Sequence, residues 1–386
     1  MDLASMLERE DFFSLFFKTI QKYYKEVYHI NVMVDFSTKK DCNLVIKPFL
    51  SSATNPFMSK KARNFFYSEW NVRNSLYKYL VAKAGVAFFT HSGRAFSQYT
   101  FRMIPEHIVT RDIVIAPNNR SIRFFDYGSN TVGCMIKFGF TSKYFQNQLE
   151  FRRNHSYPFM LPMLKWGEDW FIEPILNGHP LARVTKESEY QRGVADALAG
   201  IRILAEDSLT QVDTEDYIFQ LIQKIESNLL EAKERKKIKT ALETIKIVED
   251  AKKTACKTLK VIPTCESHGD FQEGNIWVDK NGKTWIYDWE TTCRRSVWYD
   301  SAVLCYSLRR HFGWKNLDVQ QMPEKLLNCD SRKQYSLDEY AAIKAVVKLE
   351  DILFYLEDML ELPQDWGGKI YDTFIKCVSA TEIQLE

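Results

Sequence analysis

Residues 112–176 alternate short apolar segments with turn sequences, in an order that indicates a small sheet with one helix. The segments IVIAP, RSIRFFD and TVGCMIKFG are separated by NN and YGSN, which predicts three successive antiparallel strands. The helical pattern TSKYFQNQLEFRRN follows, with Thr141 or Ser142 as a capping residue. FMLPMLKWGEDWFIEPIL then predicts two strands around a turn at Gly167 to Asp169. The predicted order is therefore strand, strand, strand, helix, strand, strand.

The regions on either side of this segment have different patterns. Before about residue 105, helical periodicity in EDFFSLFFKTIQKYYKEVY and ARNFFYSEWNVRNSLYKYLVAKA alternates with the strand-like runs NLVIKPFL and GVAFFTHS. After NGHPL at 177–181 the pattern is helical to about Val261, and a later helical pattern opens with Ser336 and Glu339 at capping-box spacing. We predict an α+β fold in three parts: an N-terminal α/β region of unknown role over 1–105, a sheet lobe over 106–176 and a helical lobe over 177–386.

Composition excludes several classes of partner. The formal net charge is +2 over 386 residues, so nucleic acid and anionic membranes are not expected as main partners. The N-terminal residues lack the order of a signal peptide, and charges interrupt every apolar run, so we predict a soluble, cytoplasmic protein without membrane insertion. The eight cysteines form no C-x-x-C pair and are expected to be buried free thiols. Nothing in the sequence predicts the oligomeric state.

The stretch SHGDFQEGNIW contains candidate catalytic and metal-binding residues of the sequence. Its residues His268, Asp270 and Asn275 have the spacing H-x-D-x-x-x-x-N, and Asp288 ends the strand-like TWIYD after a hairpin turn in DKNGK. Phosphoryl transfer needs little covalent work from a protein, but it needs a positioned hydroxyl and metal ions that neutralise charge. A loop aspartate for the hydroxyl, with an asparagine and a second aspartate for the metal, meets both needs.

These residues resemble the aminoglycoside phosphotransferase and choline kinase family, which has a protein-kinase-like, two-lobed fold. Gly269 stands where protein kinases have arginine, DWE stands in place of D-F-G, and Asp300 in RRSVWYDSAV is similar to the aspartate that opens the family's next helix. The resemblance covers 265–305 well and 113–180 less closely. It implies that Asp270 is the catalytic base or hydroxyl-orienting group, and that Asn275 and Asp288 bind Mg²⁺.

The resemblance also implies a site for ATP, with GTP as an alternative, in the sheet lobe. Lys137 on the third strand and Glu150 on the helix would form the phosphate clamp. The turn from Pro117 to Ser121 would cover the phosphates through Asn119 and Ser121, although it lacks the glycines of a glycine-rich loop.

At the inner end of the same lobe, backbone groups near Glu173 and Ile175 would read the purine edge. Apolar strand residues such as Ile115 and Met135 would sandwich the ring. His268 is expected to structure the loop, and Glu290 to bind a metal or a cationic acceptor, or to pair with Arg294 or Arg295.

The acceptor is expected to be a small molecule with a hydroxyl group: an aminoglycoside, an amino alcohol or a sugar. Acids on the C-terminal helix beside aromatic residues fit a cationic acceptor, and a solvated helix face explains them as well. These residues are Glu350, Asp351, Glu357, Asp358 and Glu361, with Phe354, Tyr355 and Trp366.

Two other functions remain open from the sequence. A protein-substrate kinase would use the same residues with an open groove for its acceptor. A regulatory pseudokinase would bind nucleotide without turnover, and the complete set Lys137, Asp270, Asn275 and Asp288 argues against it.

Overall fold

The structure, a computed structural model, forms two compact units. One contains residues 1–193 and 276–290, and the other contains residues 194–275 and 291–386. The structure describes residues 6–7, 11–69, 76–95, 97, 99–140, 143–236, 238–310, 313–316, 335–361 and 366–380. No helix in these ranges is long and apolar enough to cross a bilayer.

A nine-stranded antiparallel sheet dominates the first unit, with the strand order β1-β4-β2-β3-β5-β6-β7-β9-β8. A second sheet of three strands has the order β10-β13-β14. The strands are β1 Met33–Phe36, β2 Leu44–Lys47, β3 Ser52–Thr54, β4 Tyr99–Ile104, β5 Ile113–Pro117, β6 Ser121–Asp126, β7 Thr131–Ile136, β8 Lys165–Trp166, β9 Trp170–Pro174, β10 Gly178–Pro180, β13 Ile276–Asp279 and β14 Thr284–Ile286. The helices are α1 Phe12–Tyr28, α2 Lys60–Glu69, α3 Leu76–His91 and α4 Lys143–Asn154, and α5 Glu187–Ser208 begins here.

The predicted order over 112–176 is confirmed: β5, β6, β7, α4, β8 and β9 follow one another along the chain. The α+β fold is confirmed as well. The capping residues predicted for α4, Thr141 and Ser142, lie outside the described residues. The run GVAFFTHS was predicted as a strand and is wrong, because it continues the helix that begins at Leu76. A short apolar run has no periodicity of its own that separates strand from helix.

Residues 1–105 are not a separate compact unit, so the predicted boundary at residue 105 is corrected. Strands β1 to β4 extend the sheet, and β3 pairs with β5 through Ala53 and Ile115. Helix α1 packs on one face, where the Tyr23 ring stacks on Phe124 at 3.8 Å between centroids. Glycine is required at position 133 of β7, since a Cβ there would overlap the Tyr23 ring. The extension completes the core of the sheet lobe.

The second unit is mainly helical. Its long helix α9 packs against α6 and α7, and a three-stranded sheet has the order β11-β12-β15. The capping box that opens α9 is confirmed, because the Ser336 N–H donates to Glu339 at 2.8 Å and the Glu339 N–H donates to Ser336 Oγ at 3.2 Å. Strand β11 was not predicted. The elements are α6 Thr214–Lys236, α7 Ala241–Thr258, α8 Tyr299–Cys305, α9 Leu337–Glu361, α10 Trp366–Ser379, β11 Thr210–Asp213, β12 Val261–Ser267 and β15 Cys293–Ser296.

Candidate active site

The loop after β12 carries His268, Asp270 and Asn275, and its path depends on Gly269. This glycine has φ +86°, in the left-handed region, and a Cβ would lie 2.5 Å from both the Thr291 carbonyl oxygen and Arg295 Nη1. Neither a side chain nor another backbone conformation fits there. The arginine that protein kinases have at this position is therefore incompatible with this loop.

Asp300 fixes the backbone of the same loop. Its carboxylate is buried in the first turn of α8 and accepts hydrogen bonds from the Ser267 hydroxyl at 2.9 Å, the His268 N–H at 2.7 Å and the Gly269 N–H at 2.9 Å. The His268 carbonyl accepts from the Thr291 hydroxyl at 2.9 Å. The helix predicted to open near Asp300 is present, and the loop-binding role of this aspartate emerges only from the tertiary structure.

The Asp270 carboxylate is held at both oxygens. Arg309 Nε donates to Oδ1 at 2.9 Å, while Gln272 Nε2 and Asn275 Nδ2 donate to Oδ2 at 2.8 and 3.0 Å. The Asp270 side chain is still 21% exposed, against 8% for Arg309. A fixed carboxylate with remaining access is suited to orient an acceptor hydroxyl.

Arg309 was missed by the sequence analysis. It joins Asp270 to Asp351 through an Nη1 contact of 2.5 Å, and its Nη2 donates to the Gly269 carbonyl and the Tyr299 hydroxyl, each at 2.8 Å. Burial lowers the pKa of Arg309, but Tyr299, Asp351, Tyr355 and Asp270 more than offset this and raise it. No motif signals this residue, because it lies 39 positions after Asp270 in an unremarkable sequence.

Two of the acids considered for the acceptor have internal partners. Glu350 accepts from the Ser296 hydroxyl and the Tyr217 hydroxyl, and burial raises the pKa of its carboxyl. Asp351 accepts from Trp314 Nε1 at 2.9 Å and Tyr299 at 2.8 Å in addition to Arg309. Both side chains are buried, so they stabilise the second unit and do not line an open surface. The Trp366 side chain lies outside the described residues.

Asp288, in the first unit, has an unusual backbone conformation. It follows β14 with φ +66°, a value that L-residues rarely adopt and that aspartate tolerates better than most. The neighbouring Trp289 is buried and donates from Nε1 to the Ile286 carbonyl at 3.0 Å. A strained aspartate held by buried neighbours is consistent with a functional carboxylate.

The first unit contains a cavity of roughly 950 Å³ beneath β5, β6 and β7. Trp277 and Tyr287 form an aromatic wall, with ring centroids 5.4 Å apart, and the side chains of Glu173 and Ile175 also line the cavity. Phe65 on α2 lines the cavity from the N-terminal region. Trp277 and Tyr287 were not predicted as site residues. Trp277 lies on β13 two positions after Asn275, and Tyr287 follows β14 directly before Asp288, so their positions in the sequence were the available signal.

Glu173 and Ile175 lie at the cavity, but not in the expected manner. The Glu173 carboxylate is buried and accepts from Arg152 at 2.6 Å, and the Ile175 N–H donates to the Asn130 carbonyl at 3.0 Å, so this N–H is not free to read a purine. Ile115 and Met135 were expected to contact the ring, and this is wrong. Both pack in the core under α1.

The proposed clamp residues are not brought together. Lys137 is 2% exposed, its Nζ lies 5.7 Å from the centroid of the Phe140 ring, and it does not line the cavity. Glu150 is exposed on α4, and its side chain has no hydrogen bond or ion pair with another described residue. The expected Lys137–Glu150 pair is therefore absent from the described part of the structure.

The turn between β5 and β6 is fastened by an ion pair. Arg120 Nη1 lies 2.9 Å from Glu290 Oε1, and the Arg120 guanidinium stacks on the Tyr144 ring at 4.7 Å. Arg120 is thus a partner of Glu290, in addition to the possibilities expected from the sequence, which were Arg294 and Arg295. Asn118 and Pro117 of the turn line the cavity, whereas the predicted Asn119 and Ser121 do not.

The donor atoms fit a magnesium ion of the expected kind. Asn275 Nδ2 donates to Asp270, which turns the amide oxygen away from that carboxylate. Within the described ranges there is no group of three or more histidine, cysteine, aspartate or glutamate residues that would form an all-protein metal site. Mg²⁺ at phosphotransfer sites commonly uses one or two protein oxygens together with substrate phosphates. The side-chain amide of Asn275 can supply one such oxygen.

Comparison with known proteins agrees with the residues of the loop. Residues 163–321 match the model of the phosphotransferase enzyme family. No curated protein matches the chain in sequence.

Several solved structures resemble this one at low identity. A Plasmodium vivax ethanolamine kinase is 11% identical with a TM-score of 0.45, covering 81% of this chain and 90% of its own. The choline kinase LicA from Streptococcus pneumoniae is 13% identical with a TM-score of 0.45, covering 70% and 90%. A thermostable mutant of the aminoglycoside phosphotransferase APH(4)-Ia is 12% identical with a TM-score of 0.47, covering 71% and 94%. The match over residues 163–321 includes Asp270, Asn275 and Asp288, the residues on which the resemblance to this kind of phosphotransferase was based.

Proposed function

We propose that this protein transfers the γ-phosphate of ATP, or of GTP, to a hydroxyl group of a small molecule. The observation that carries the proposal is the Asp270 carboxylate, which is fixed by Arg309, Gln272 and Asn275 and remains accessible. A hydroxyl-orienting group must be held in place before the substrate arrives.

The proposal assigns further residues to the metal and to the purine. Asn275 and Asp288 bind Mg²⁺ through their side-chain oxygens, and the cavity lined by Trp277 and Tyr287 binds the purine by stacking. The cavity volume of roughly 950 Å³ lies within the range of small-molecule and cofactor sites. The acceptor classes to be tested are aminoglycosides, amino alcohols and sugars.

The test is a magnesium-dependent nucleotide turnover assay with ATP and GTP against pooled acceptors of these three classes. Asp270→Ala should lower the rate of stimulated turnover by orders of magnitude and leave nucleotide affinity nearly unchanged. Asp288→Ala should abolish metal-dependent nucleotide binding as well. Glu150→Ala is the matched control, because that carboxylate is exposed and has no partner among the described residues.

The outcomes separate the open functions. Stimulation by one pool that Asp270→Ala removes supports the proposal and narrows the acceptor. Phosphate transfer to a protein mixture and to no pool would favour a protein-substrate kinase. Nucleotide binding with no transfer to any acceptor would favour a pseudokinase, and full activity of Asp270→Ala would contradict the role of that residue.

A further inference from the structure

The cavity of the first unit contains a cation that the sequence analysis did not assign. Arg123 on β6 lines the cavity together with Glu173 and Tyr287, and Lys137 is not among the lining residues. The other basic side chains of the lining include Lys61 and Lys280, which are exposed, and Arg183, which is half-buried like Arg123. A cation inside a cavity interacts with a bound anion more strongly than one at the solvent-exposed rim.

Strand register explains how β6 supplies this charge. Arg123 is opposite Cys134 of β7, and Cys134 is opposite Phe171 of β9, so the three side chains occupy one row on the same face of the sheet. Burial raises the pKa of the Cys134 thiol to about 11, despite an opposing effect of Arg123. Strand β7 therefore contributes a neutral side chain to this row, and the neighbouring strand contributes the charge.

Arg123 lines the cavity together with Tyr287, the residue directly before Asp288 in the chain. Asp288 makes the largest favourable electrostatic contribution to the charged form of Arg123, followed by Cys134 and Glu173; these outweigh burial and raise the pKa of the guanidinium. Glu173 is already bound by Arg152 at 2.6 Å, and Arg152 also donates to the Leu161 carbonyl at 2.9 Å. Arg123 thus shares the cavity with Tyr287, whose neighbour in sequence is the aspartate that is proposed to hold Mg²⁺.

We propose that Arg123, and not Lys137, is the main cation that binds the phosphate groups of the nucleotide. The inference rests on the proposed function, because it assigns a residue to the same nucleotide site. A guanidinium can donate two parallel hydrogen bonds to phosphate oxygens, which lysine cannot do. The phosphate-binding cation would then come from β6, one strand away from the position that the sequence pattern indicated.

The experiment compares the affinities of the full-length protein for MgATP and for adenosine, which has no phosphates. Arg123→Met should weaken MgATP binding by 10-fold to 100-fold and change adenosine affinity less than 2-fold. Arg123→Lys keeps the charge and should recover part of the MgATP affinity, which also covers the case in which Arg123→Met fails to fold. Arg102→Met is the matched control, since Arg102 pairs with Glu106 on the exposed surface of the same unit.

Lys137→Met distinguishes the two candidate cations. The inference predicts a larger loss of MgATP affinity for Arg123→Met than for Lys137→Met. It is overturned if the order is reversed, if Arg123→Met binds MgATP like the wild type, or if adenosine affinity falls in parallel with MgATP affinity. If the wild-type protein binds neither MgATP nor MgGTP, the proposed function itself fails, which is a different result from normal MgATP binding by Arg123→Met.

Discussion

Arg309 Nε lies 2.9 Å from Asp270 Oδ1, and the same guanidinium contacts Asp351 through Nη1 at 2.5 Å. The Arg309 guanidinium also packs on the Phe354 ring, 3.9 Å from its centroid. One buried arginine therefore links the candidate catalytic carboxylate to the middle of helix α9. The position of Asp270 depends on this link as well as on its own loop.

Replacing Arg309 should affect both catalysis and stability. Arg309→Met leaves the buried Asp351 without its cation, and breaking a buried ion pair costs about 3–5 kcal/mol in the free energy of unfolding. Arg309→Lys retains the charge but loses several of the hydrogen bonds that the planar guanidinium donates. Asp270 should then be held less firmly, so the turnover rate should fall while nucleotide affinity changes little. Chemical denaturation and acceptor-stimulated turnover measure the two effects.

Arg310→Met is the control for Arg309. Its side chain is 66% exposed and pairs with Glu273, which is 13% exposed, and a pair with one partner in solvent is expected to contribute about 1 kcal/mol or less. Equal effects of the two substitutions would contradict the linking role of Arg309.

Gly269 should tolerate no side chain. Gly269→Ala introduces a Cβ against the Thr291 carbonyl oxygen in a backbone conformation with φ +86°, so we expect a loss of about 1–3 kcal/mol and a large fall in turnover. Gly274→Ala is the matched control in the same loop, because a Cβ there has no heavy atom within 4 Å. Thermal unfolding of both variants checks the difference. A Gly269→Ala protein as stable and active as the Gly274→Ala protein would refute this account.

A truncated chain beginning at residue 106 should not fold. It removes α1, which covers Ile115, Ile122, Phe124 and Met135, and it leaves β5 without its partner β3. Fully burying one such side chain contributes about 1.5–3 kcal/mol, so exposing the four costs about 6–12 kcal/mol, which is comparable to the whole stability of a typical domain. Circular dichroism and a thermal unfolding curve would test this. Cooperative unfolding of the truncated chain would show that residues 1–105 are dispensable for folding.

The buried Lys47 should make stability depend on pH. Its Nζ donates to the Phe89 carbonyl at 2.6 Å, and burial lowers its pKa from the ordinary 10.5 to about 8. Between these two values the unfolded chain binds more protons than the folded one, so stability rises with pH through this window. The penalty is largest below pH 8.

The free energy of unfolding of the wild type relative to Lys47→Met should therefore increase by about 2 kcal/mol between pH 7 and pH 9.5. Urea denaturation of both proteins at the two pH values measures this difference in the free energy of unfolding. The contributions of the other titrating groups are common to both proteins and cancel in the comparison. A difference that is constant with pH would mean that Lys47 titrates near its ordinary pKa in the folded protein.

The sequence by itself determined the order of the elements over 112–176, the spacing of the candidate catalytic loop and the match of residues 163–321 to a phosphotransferase family model. These features are local, because turn residues, capping residues and the spacing of Asp270 and Asn275 act over a few positions of the chain. The left-handed backbone conformation at position 269 is also indicated by the local sequence, because glycine is the residue that adopts this conformation without strain.

The tertiary structure alone decided which face of the sheet each strand residue occupies. Strands β5 and β7 are buried on both faces, so their sequences lack the alternation that would separate Ile115 and Met135 from the cavity side. Arg309 and Arg123 were invisible for a related reason. Residues far apart in sequence leave no spacing to recognise, and only the packed chain brings Arg309 to Asp270 and Arg123 into the cavity beside Tyr287.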